Sequence, residues 1–127
     1  MSYESLADGG FQTGTMLGSG GFIVMDETTC MVKNLLTFAR FYHHESCGQC
    51  SPCREGTGWM EKIVQRIEDG QGTMKDIDLL VGISKHIEGN TICPLGDAAA
   101  WPVASAVRHF RQEFEDHIKL QRCPLSK

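Results

Sequence analysis

Apolar residues recur at helical spacing in four separate stretches of the chain. The stripes comprise Val32, Leu35, Leu36, Ala39 and Tyr42 in the first stretch, Trp59, Ile63, Val64 and Ile67 in the second, Ile77, Leu80, Val81 and Ile87 in the third, and Val103, Val107, Phe110, Phe114 and Ile118 in the fourth. Steps of three and four residues put apolar side chains on one face of an α-helix. The pattern therefore predicts an all-α fold, a bundle of four amphipathic helices.

Signals that start and stop helices lie between these stripes. The predicted helices run from residues 26–29 to 43–44, from 51–52 to 70, from 73 to 89, and from 97 or 102 to about 120. Thr73 followed by Asp76 resembles a capping box, which satisfies free N–H groups at the start of a helix. Pro102 fits the fourth helix only near its start, because proline has no N–H to donate.

A glycine-rich segment precedes the first helix. It leads into Phe22-Ile23-Val24-Met25, an apolar run of strand length, although a lone strand is unstable in water. We therefore expect the bundle to be preceded by a short glycine-rich strand segment. A phosphate-binding loop is disfavoured, because the glycines come before the strand, no GxGxxG is present, and no helix follows directly.

Length and charge narrow the class of protein. The 127 residues suffice for one domain with a modest core. A net charge of −4 disfavours binding to nucleic acid or to an anionic membrane surface. No run approaches the roughly eighteen apolar residues of a transmembrane helix, and residues 1–10 lack the pattern of a signal peptide. We expect a reducing, cytosolic or matrix-like compartment.

Three cysteines at Cys-x-x-Cys spacing, Cys47, Cys50 and Cys53, are followed at a distance by Cys93. A tight turn with this spacing can hold three corners of a 4Fe-4S cluster, and the fourth ligand must come from elsewhere. Thirty-nine residues separate Cys53 from Cys93, whereas the fourth cysteine of the bacterial ferredoxin run follows after three. We therefore predict one 4Fe-4S cluster at one end of the bundle.

Two other interpretations of these cysteines stay open, a structural zinc site and unligated thiols. Structural zinc is often bound by four cysteines, but usually through two Cys-x-x-Cys pairs rather than a triple and a single. A cluster with cysteine at all four corners has no open iron for a substrate, so the predicted role is one-electron transfer or structural support. No Ser/His/Asp pattern indicates an independent catalytic activity.

Other residues carry weaker signals. Arg54 could raise a reduction potential by stabilising negative charge, or it could be a solvated or salt-bridged surface residue. His43 and His44 could couple reduction to protonation, but exposed histidines at a helix end are the simpler interpretation. Cys30 and Cys123 have no Cys-x-x-Cys partner, so we interpret them as half-buried apolar thiols and leave their role open.

Four sequence runs together resemble one family. They are LGSGGFIVMD at residues 17–26, ESCGQCSPCREG at 45–56, TICPLGDAAA at 91–100 and FRQEFE at 110–115. These runs and their separations are similar to the C-terminal iron–sulfur region of the NADH-binding flavoprotein subunit of respiratory complex I, an NADH-quinone oxidoreductase. The resemblance covers about residues 17–118.

The resemblance implies that Cys47, Cys50, Cys53 and Cys93 bind a 4Fe-4S cluster. This cluster would accept electrons one at a time from FMN reduced by NADH and pass them along the iron–sulfur chain towards quinone. The implied partners are an FMN- and NADH-binding module, a thioredoxin-like 2Fe-2S subunit and a large iron–sulfur subunit. The implied location is cytoplasmic, peripheral on the inner face of the membrane and without insertion into it.

The resemblance also implies a division of the chain. Residues 1–26 would be the tail of a ubiquitin-like linker module, residues 27–123 the helical cluster-binding domain, and residues 124–127 a C-terminal tail. The FMN- and NADH-binding module is missing from these 127 residues. We therefore expect a fragment, a truncated product or a separately encoded domain that is not catalytic alone.

Two alternatives belong to other functional settings. In the first, the chain would be the same electron-transfer domain in the related flavoprotein of a soluble NAD-reducing hydrogenase or an NAD-linked formate dehydrogenase, and its cluster would pass electrons to another acceptor. The second alternative is a helical binding module in which a metal only staples the helices together.

Overall fold

The computed structural model describes residues 20–21 and 23–125, and these contain four α-helices. They are α1 (Met31–Glu45), α2 (Ser51–Glu68), α3 (Met74–Ile87) and α4 (Leu95–Leu120). The central pair, α2 and α4, contacts every other helix, whereas α1 and α3 lie apart on opposite sides of this pair. The predicted all-α architecture is confirmed.

One continuous hydrophobic core lies between the four helices. Its fully buried apolar side chains include Val32, Leu35, Met60, Val64, Ile67, Ile77, Leu80, Ile87, Val103 and Phe114. These residues come from the apolar stripe of every helix. Burial of apolar surface, at about 25 cal/mol per Å², therefore drives the association of the helices. Within the described residues, no helix is long and apolar enough to cross a membrane.

The first helix begins later than predicted. α1 starts at Met31, and Cys30 is its N-cap, with the sulfur accepting a backbone N–H of the first turn at 3.4 Å. Residues 26–29 form a turn instead, in which Asp26 accepts hydrogen bonds from the hydroxyl and the N–H of Thr28. A carboxylate engaged in a local turn is not available to cap a helix, so the cap falls to Cys30.

The predicted strand does not form in the described residues. Ile23, Val24 and Met25 are exposed, and residues 20–21 and 23–125 contain no strand. A single strand cannot satisfy its own backbone groups without a partner, and the described part of the chain provides none. Phe22 and the glycine-rich residues 9–18 lie outside the described residues.

Two aromatic residues of the predicted stripes are exposed rather than buried. Trp59 is 54% exposed, because the buried face of α2 is centred on Met60, Val64 and Ile67 and leaves Trp59 at its edge. Phe110 departs from helical dihedral angles, with φ −126° and ψ 25°, and marks a kink in α4. The departure turns only Phe110 away from the core, because Val107 before it and Phe114 after it are buried.

The fourth helix begins earlier than predicted. Pro94 is its N-cap and Leu95 its first residue, so Pro102 lies inside the helix rather than near its start. A proline at this position removes the hydrogen bond that its N–H would give to the carbonyl of Ala98. The helix continues through Pro102 because the core residues on either side of it, Ala99 and Val103, hold both turns against the bundle.

The predicted capping box at the start of α3 is confirmed. Asp76 accepts the N–H of Thr73 at 2.7 Å and its hydroxyl at 3.0 Å, and it forms an ion pair with Arg66 of α2. Burial alone would raise the pKa of the Asp76 carboxyl, but the hydrogen bonds from Thr73 and the Arg66 guanidinium outweigh it and hold the pKa below its usual range.

The lowered pKa of Asp76 makes the stability of the fold depend on pH. A carboxyl whose pKa is lower in the folded than in the unfolded state stabilises the fold above the unfolded pKa of about 3.9, and this contribution is lost as the pH falls through the folded value. We expect Asp76→Asn to lower the free energy of unfolding by about 1–3 kcal/mol at neutral pH and to weaken its acid dependence. Urea denaturation between about pH 7 and pH 3 measures both effects.

Asp78→Asn is the matched control, because Asp78 is on the same helix and forms an exposed ion pair with Arg111. Such a pair contributes about 0–1 kcal/mol. Equal losses in the two variants, with the same dependence on pH, would contradict the role of Asp76.

Candidate metal centre

The first three predicted ligands lie in the turn between α1 and α2. Cys47 is exposed, Cys50 is partly buried as the N-cap of α2, and Cys53 is buried in the first turn of that helix. Gly48 has a left-handed backbone with φ +80°, a conformation that side chains disfavour. The reversal at Gly48 turns the chain from α1 into α2 over the five residues 46–50.

Ser46 supports this turn from the side of Cys53. Its hydroxyl oxygen lies 3.3 Å from the Cys53 sulfur and accepts the N–H of Gly48 at 3.4 Å. Since the Gly48 N–H is the donor in that bond, the hydroxyl hydrogen can be donated to the sulfur, as in the outer contacts that orient metal ligands. The only signal for this role in the sequence is the position of Ser46 directly before Cys47, and we did not predict it.

Arg54 binds the turn through its backbone oxygen. Its Nη1 donates to the carbonyl of Gly48 at 3.0 Å, and its Nε donates to the Glu55 carboxylate at 2.8 Å. The side chain is half exposed. Arg54 is thus salt-bridged, as one of its two interpretations requires, and its guanidinium also contacts the turn that holds the cysteines.

Cys93 returns to the turn on the loop between α3 and α4. The N–H of Ile92 donates to the Cys50 sulfur at 3.4 Å, across 42 residues of sequence. The hydroxyl of Thr91 donates to the carbonyl of Cys93 at 2.9 Å, and the Cys93 side chain is exposed. The structure thereby brings the segment of the fourth predicted ligand against the second predicted ligand.

The electrostatic setting of the turn is positive. Helix α2 begins directly after Cys50, and α4 begins two residues after Cys93, so both helix N-termini lie where the two segments meet. Helix N-termini carry partial positive charge and free N–H groups. Together with the Arg54 guanidinium, they favour an anionic centre such as metal-bound thiolates. None of the six cysteines, all of which are described, forms a disulfide.

The two histidines at the end of α1 agree with the interpretation as exposed helix-end residues. His43 Nδ1 lies 2.6 Å from the Glu61 carboxylate on α2, and the ring packs where a β-carbon would sit on Gly58. His44 is exposed near Glu45. Both rings therefore face glutamates, and these contacts account for them without the cysteines of the turn.

The remaining two cysteines pack in or against the hydrophobic core, as apolar thiols do, and they also lie beside polar side chains. The Cys30 sulfur lies 3.3 Å from Nε2 of His117 and 3.9 Å from the Glu68 carboxylate. Cys123 lies in the same group of side chains. We did not predict this association, because the four residues are far apart in the chain and share no motif.

A helical bundle that holds a cysteine triple in one turn, with the loop of a fourth cysteine against it, is the arrangement expected of an iron–sulfur-binding domain. Residues 33–117 match the NADH-ubiquinone oxidoreductase-F iron-sulfur binding region. The chain belongs to this family.

Relatives with curated names cover nearly the whole chain. The F subunit of the NADH-quinone oxidoreductase of Rickettsia akari is 50% identical over 119 residues, which is 94% of this chain and 27% of that protein. The F subunit of the Rickettsia bellii enzyme is 48% identical over 94% of this chain and 28% of its own length. The chain thus spans about a quarter of the length of these relatives.

A solved structure has the same fold. The crystal structure of NAD+-reducing [NiFe]-hydrogenase in the H2-reduced state aligns with a TM-score of 0.68 and 35% identity, over 80% of this chain and 17% of the hydrogenase chain. The air-oxidized state of such a hydrogenase aligns with the same TM-score and 34% identity.

The loop that carries Cys93 requires glycine at position 96. A β-carbon on Gly96 would overlap the side chain of Thr91, whose hydroxyl holds the Cys93 carbonyl. We expect Gly96→Ala to displace this loop and to lower the iron retained per chain after anaerobic reconstitution by at least about twofold, because ligand geometry limits binding.

Gly82→Ala is the matched control, because a β-carbon on this helical glycine meets no atom within 4 Å. This variant should retain full iron and gain about 0.5–1 kcal/mol in stability, as alanine is the better helix former. Full iron retention in Gly96→Ala would show that the loop adapts without moving Cys93.

Proposed function

We propose that this domain binds one 4Fe-4S cluster through Cys47, Cys50, Cys53 and Cys93 and acts as a one-electron relay. The observation that carries the proposal is the hydrogen bond from the Ile92 N–H to the Cys50 sulfur at 3.4 Å. This bond joins the segment of Cys47, Cys50 and Cys53 to the segment of Cys93. Thirty-nine residues lie between Cys53 and Cys93 in the chain.

The donor set fits such a cluster. Four thiols supply one sulfur for each iron corner, and backbone N–H and hydroxyl donors to the sulfurs are the outer contacts that tune iron–sulfur sites. When bound, a 4Fe-4S cluster supplies one-electron redox chemistry. The chain contributes the four ligands, the hydroxyl of Ser46 beside Cys53, and the positive ends of α2 and α4.

The family supports a place for this domain in NADH-linked electron transfer. We propose that the electrons come from FMN reduced by NADH on a separate flavin module, and that they continue along an iron–sulfur chain towards quinone. The proposed partners are that FMN- and NADH-binding module, a thioredoxin-like 2Fe-2S subunit and a large iron–sulfur subunit. The proposed location is the cytoplasmic inner face of a membrane, reached through the complex.

A hydrogenase setting is the second candidate, and the structural likeness to the NAD+-reducing [NiFe]-hydrogenase favours it. The domain would then perform the same relay towards a different acceptor. The neighbouring genes separate the two settings, since one predicts further complex I subunits and the other predicts hydrogenase subunits.

Loss of a single ligand tests the relay. We expect the anaerobically reconstituted chain to hold about four irons and four sulfides and to give a reduced-cluster EPR signal after dithionite. Cys47→Ala and Cys93→Ala should each lose this signal, because three thiolates leave one corner unbound.

Cys123→Ser is the control for a lost thiol outside the turn, and it should keep the full signal. A folded chain that binds only zinc, or that shows no reducible centre, would contradict the relay and leave the helical module with a structural metal.

Removing the charge of Arg54 tests whether this side chain tunes the reduction potential of the proposed cluster. A cation at the turn stabilises the reduced, more negative state, so Arg54→Met should lower the midpoint potential in an EPR-monitored titration. Arg54→Lys should recover most of the loss, because it keeps the charge.

Lys119→Met changes the net charge equally but lies at the far end of α4, about seven turns from Cys93. It should leave the potential nearly unchanged. Equal shifts of the midpoint potential in Arg54→Met and Lys119→Met would show that net charge alone causes the shift, and would contradict a specific role of Arg54.

A further inference from the structure

Four metal-binding side chains meet at the end of the bundle opposite the cysteine turn. Cys30, Glu68, His117 and Cys123 each offer one donor atom, and these four atoms lie within 4.8 Å of one another. Cys30 caps the start of α1, which spans 15 residues or about 22 Å before the turn that holds Cys47. The group is therefore separate from the proposed iron–sulfur site.

The spacing of the donors is that of a small tetrahedral site. Zinc bonds of about 2.0–2.3 Å imply ligand–ligand edges of about 3.3–3.8 Å. The distance from Cys30 Sγ to His117 Nε2 is 3.3 Å, that from His117 Nε2 to the Glu68 carboxylate is 3.3 Å, and that from Cys30 Sγ to the carboxylate is 3.9 Å. Three of the six edges are thus already close to the length that a zinc ion requires.

The tautomer of His117 suits a metal ligand. Its Nδ1 lies 2.7 Å from the carbonyl of Glu113, and a carbonyl can only accept, so Nδ1 carries the proton. In the neutral form of the ring, Nε2 has a lone pair, and it lies 3.3 Å from both the Glu68 carboxylate and the Cys30 sulfur. Histidine ligands of zinc are held in this way, with the other nitrogen bound to a carbonyl or carboxylate. His117 is 1% exposed, so a cation between these acceptors would be well shielded from water.

Neighbouring groups support the two ligands nearest to α1. The Cys30 sulfur accepts the N–H of Lys33 at 3.4 Å, which fixes the position of the sulfur. The carboxylate of Glu113 accepts the N–H of Met31 at 3.0 Å. The same residue, Glu113, therefore fixes both the start of α1 and the ring of His117.

The chain turns after α4 and places Cys123 beside the other three side chains. Gln121 has a left-handed backbone with φ 53°, which is uncommon for residues other than glycine or asparagine. Its backbone lies against Gly70, where a β-carbon would overlap it. This close approach turns the chain over the end of α2, where Glu68 lies.

A surface cleft borders the group at His117. A cleft of about 190 Å³ is lined by Glu27, Glu113, Asp116, His117 and Pro124, among others. Acidic walls raise the local concentration of cations. The cleft therefore places acidic side chains beside His117, one of the four donors.

We propose that Cys30, Glu68, His117 and Cys123 form a second metal site, which binds one zinc ion in tetrahedral geometry. Two sulfurs, one imidazole nitrogen and one carboxylate oxygen are a donor set of zinc. All four positions would be filled by protein, so the site is structural. It ties the start of α1 and the segment after α4 to the end of α2.

Zinc binding to the full chain tests this proposal with the iron–sulfur cysteines removed. We use the quadruple variant Cys47→Ser/Cys50→Ser/Cys53→Ser/Cys93→Ser, which removes all four thiolates of the proposed iron–sulfur site, and titrate it with Zn²⁺ alone. One tightly held zinc per chain is expected, with zinc X-ray absorption giving two sulfurs at about 2.3 Å and two nitrogen or oxygen neighbours near 2.0 Å. Co²⁺ in place of Zn²⁺ should give the intense visible bands of tetrahedral thiolate cobalt.

Added single changes identify the ligands. Cys123→Ser and Glu68→Gln lie at the edge of the group and should each weaken zinc binding by at least about tenfold, the loss that even outer contacts of metal ligands cause. His109→Gln, an exposed histidine on α4, and Asp69→Asn, the neighbour of Glu68 in the chain, should leave the affinity unchanged. Circular dichroism establishes that each variant is folded.

Two results would overturn the proposal. One is a folded quadruple variant that retains no zinc, or that retains it equally after Cys123→Ser. The other is a disulfide between Cys30 and Cys123 in the anaerobically purified chain, detected as two thiols missing on alkylation. Because the turn cysteines are absent from this experiment, either result leaves the proposed relay untouched, and loss of the relay leaves the zinc site untouched.

Discussion

The fold depends on the close approach of the end of α3 to the start of α2. A β-carbon on Gly56 would lie 2.6 Å from Cδ1 of Ile87, and Ile87 is the last residue of α3. Glycine at position 56 lets α3 end against the first turns of α2, just beyond Cys53. The loop that starts there has only seven residues, 88–94, before α4 begins, so it cannot carry Cys93 far from the turn. The packing of two helices thereby determines where a fourth ligand can be.

The second constraint is the direction of the helices. α2 and α4 both begin at the cysteine turn and run towards the group of Cys30, Glu68, His117 and Cys123. Their N-terminal partial charges therefore favour the thiolates of the turn. Their C-terminal ends carry Glu68 and His117 to the other end of the bundle. The proposed cluster and the proposed zinc would thus close the two ends of one helical core.

The polar interactions also differ between the two ends of the bundle. Around the turn, hydrogen bonds reach sulfur or backbone oxygen and come from Ser46, Ile92 and Arg54. Such contacts hold an anionic centre and set its potential. Around His117, acceptors predominate, and a carbonyl of the same helix selects the tautomer. The donors around the turn therefore complement an anionic centre, and the acceptors around His117 complement a divalent cation.

Local sequence was enough to predict the four helices, the cysteine turn and the family. Apolar periodicity is enough to predict that a helix forms, because burial of its apolar face is the dominant favourable contribution to the free energy of folding. The cysteine turn could be predicted because Cys-x-x-Cys spacing is a local property of the chain. Trp59, Phe110 and the start of α1 could not be predicted in this way, because neighbouring helices and local turns select the buried face and the capping residue. The contact of Ile92 with Cys50 and the meeting of Cys30, Glu68, His117 and Cys123 depend on the packing of the whole bundle. They join residues distant in the chain, and no local pattern encodes which helix ends come together.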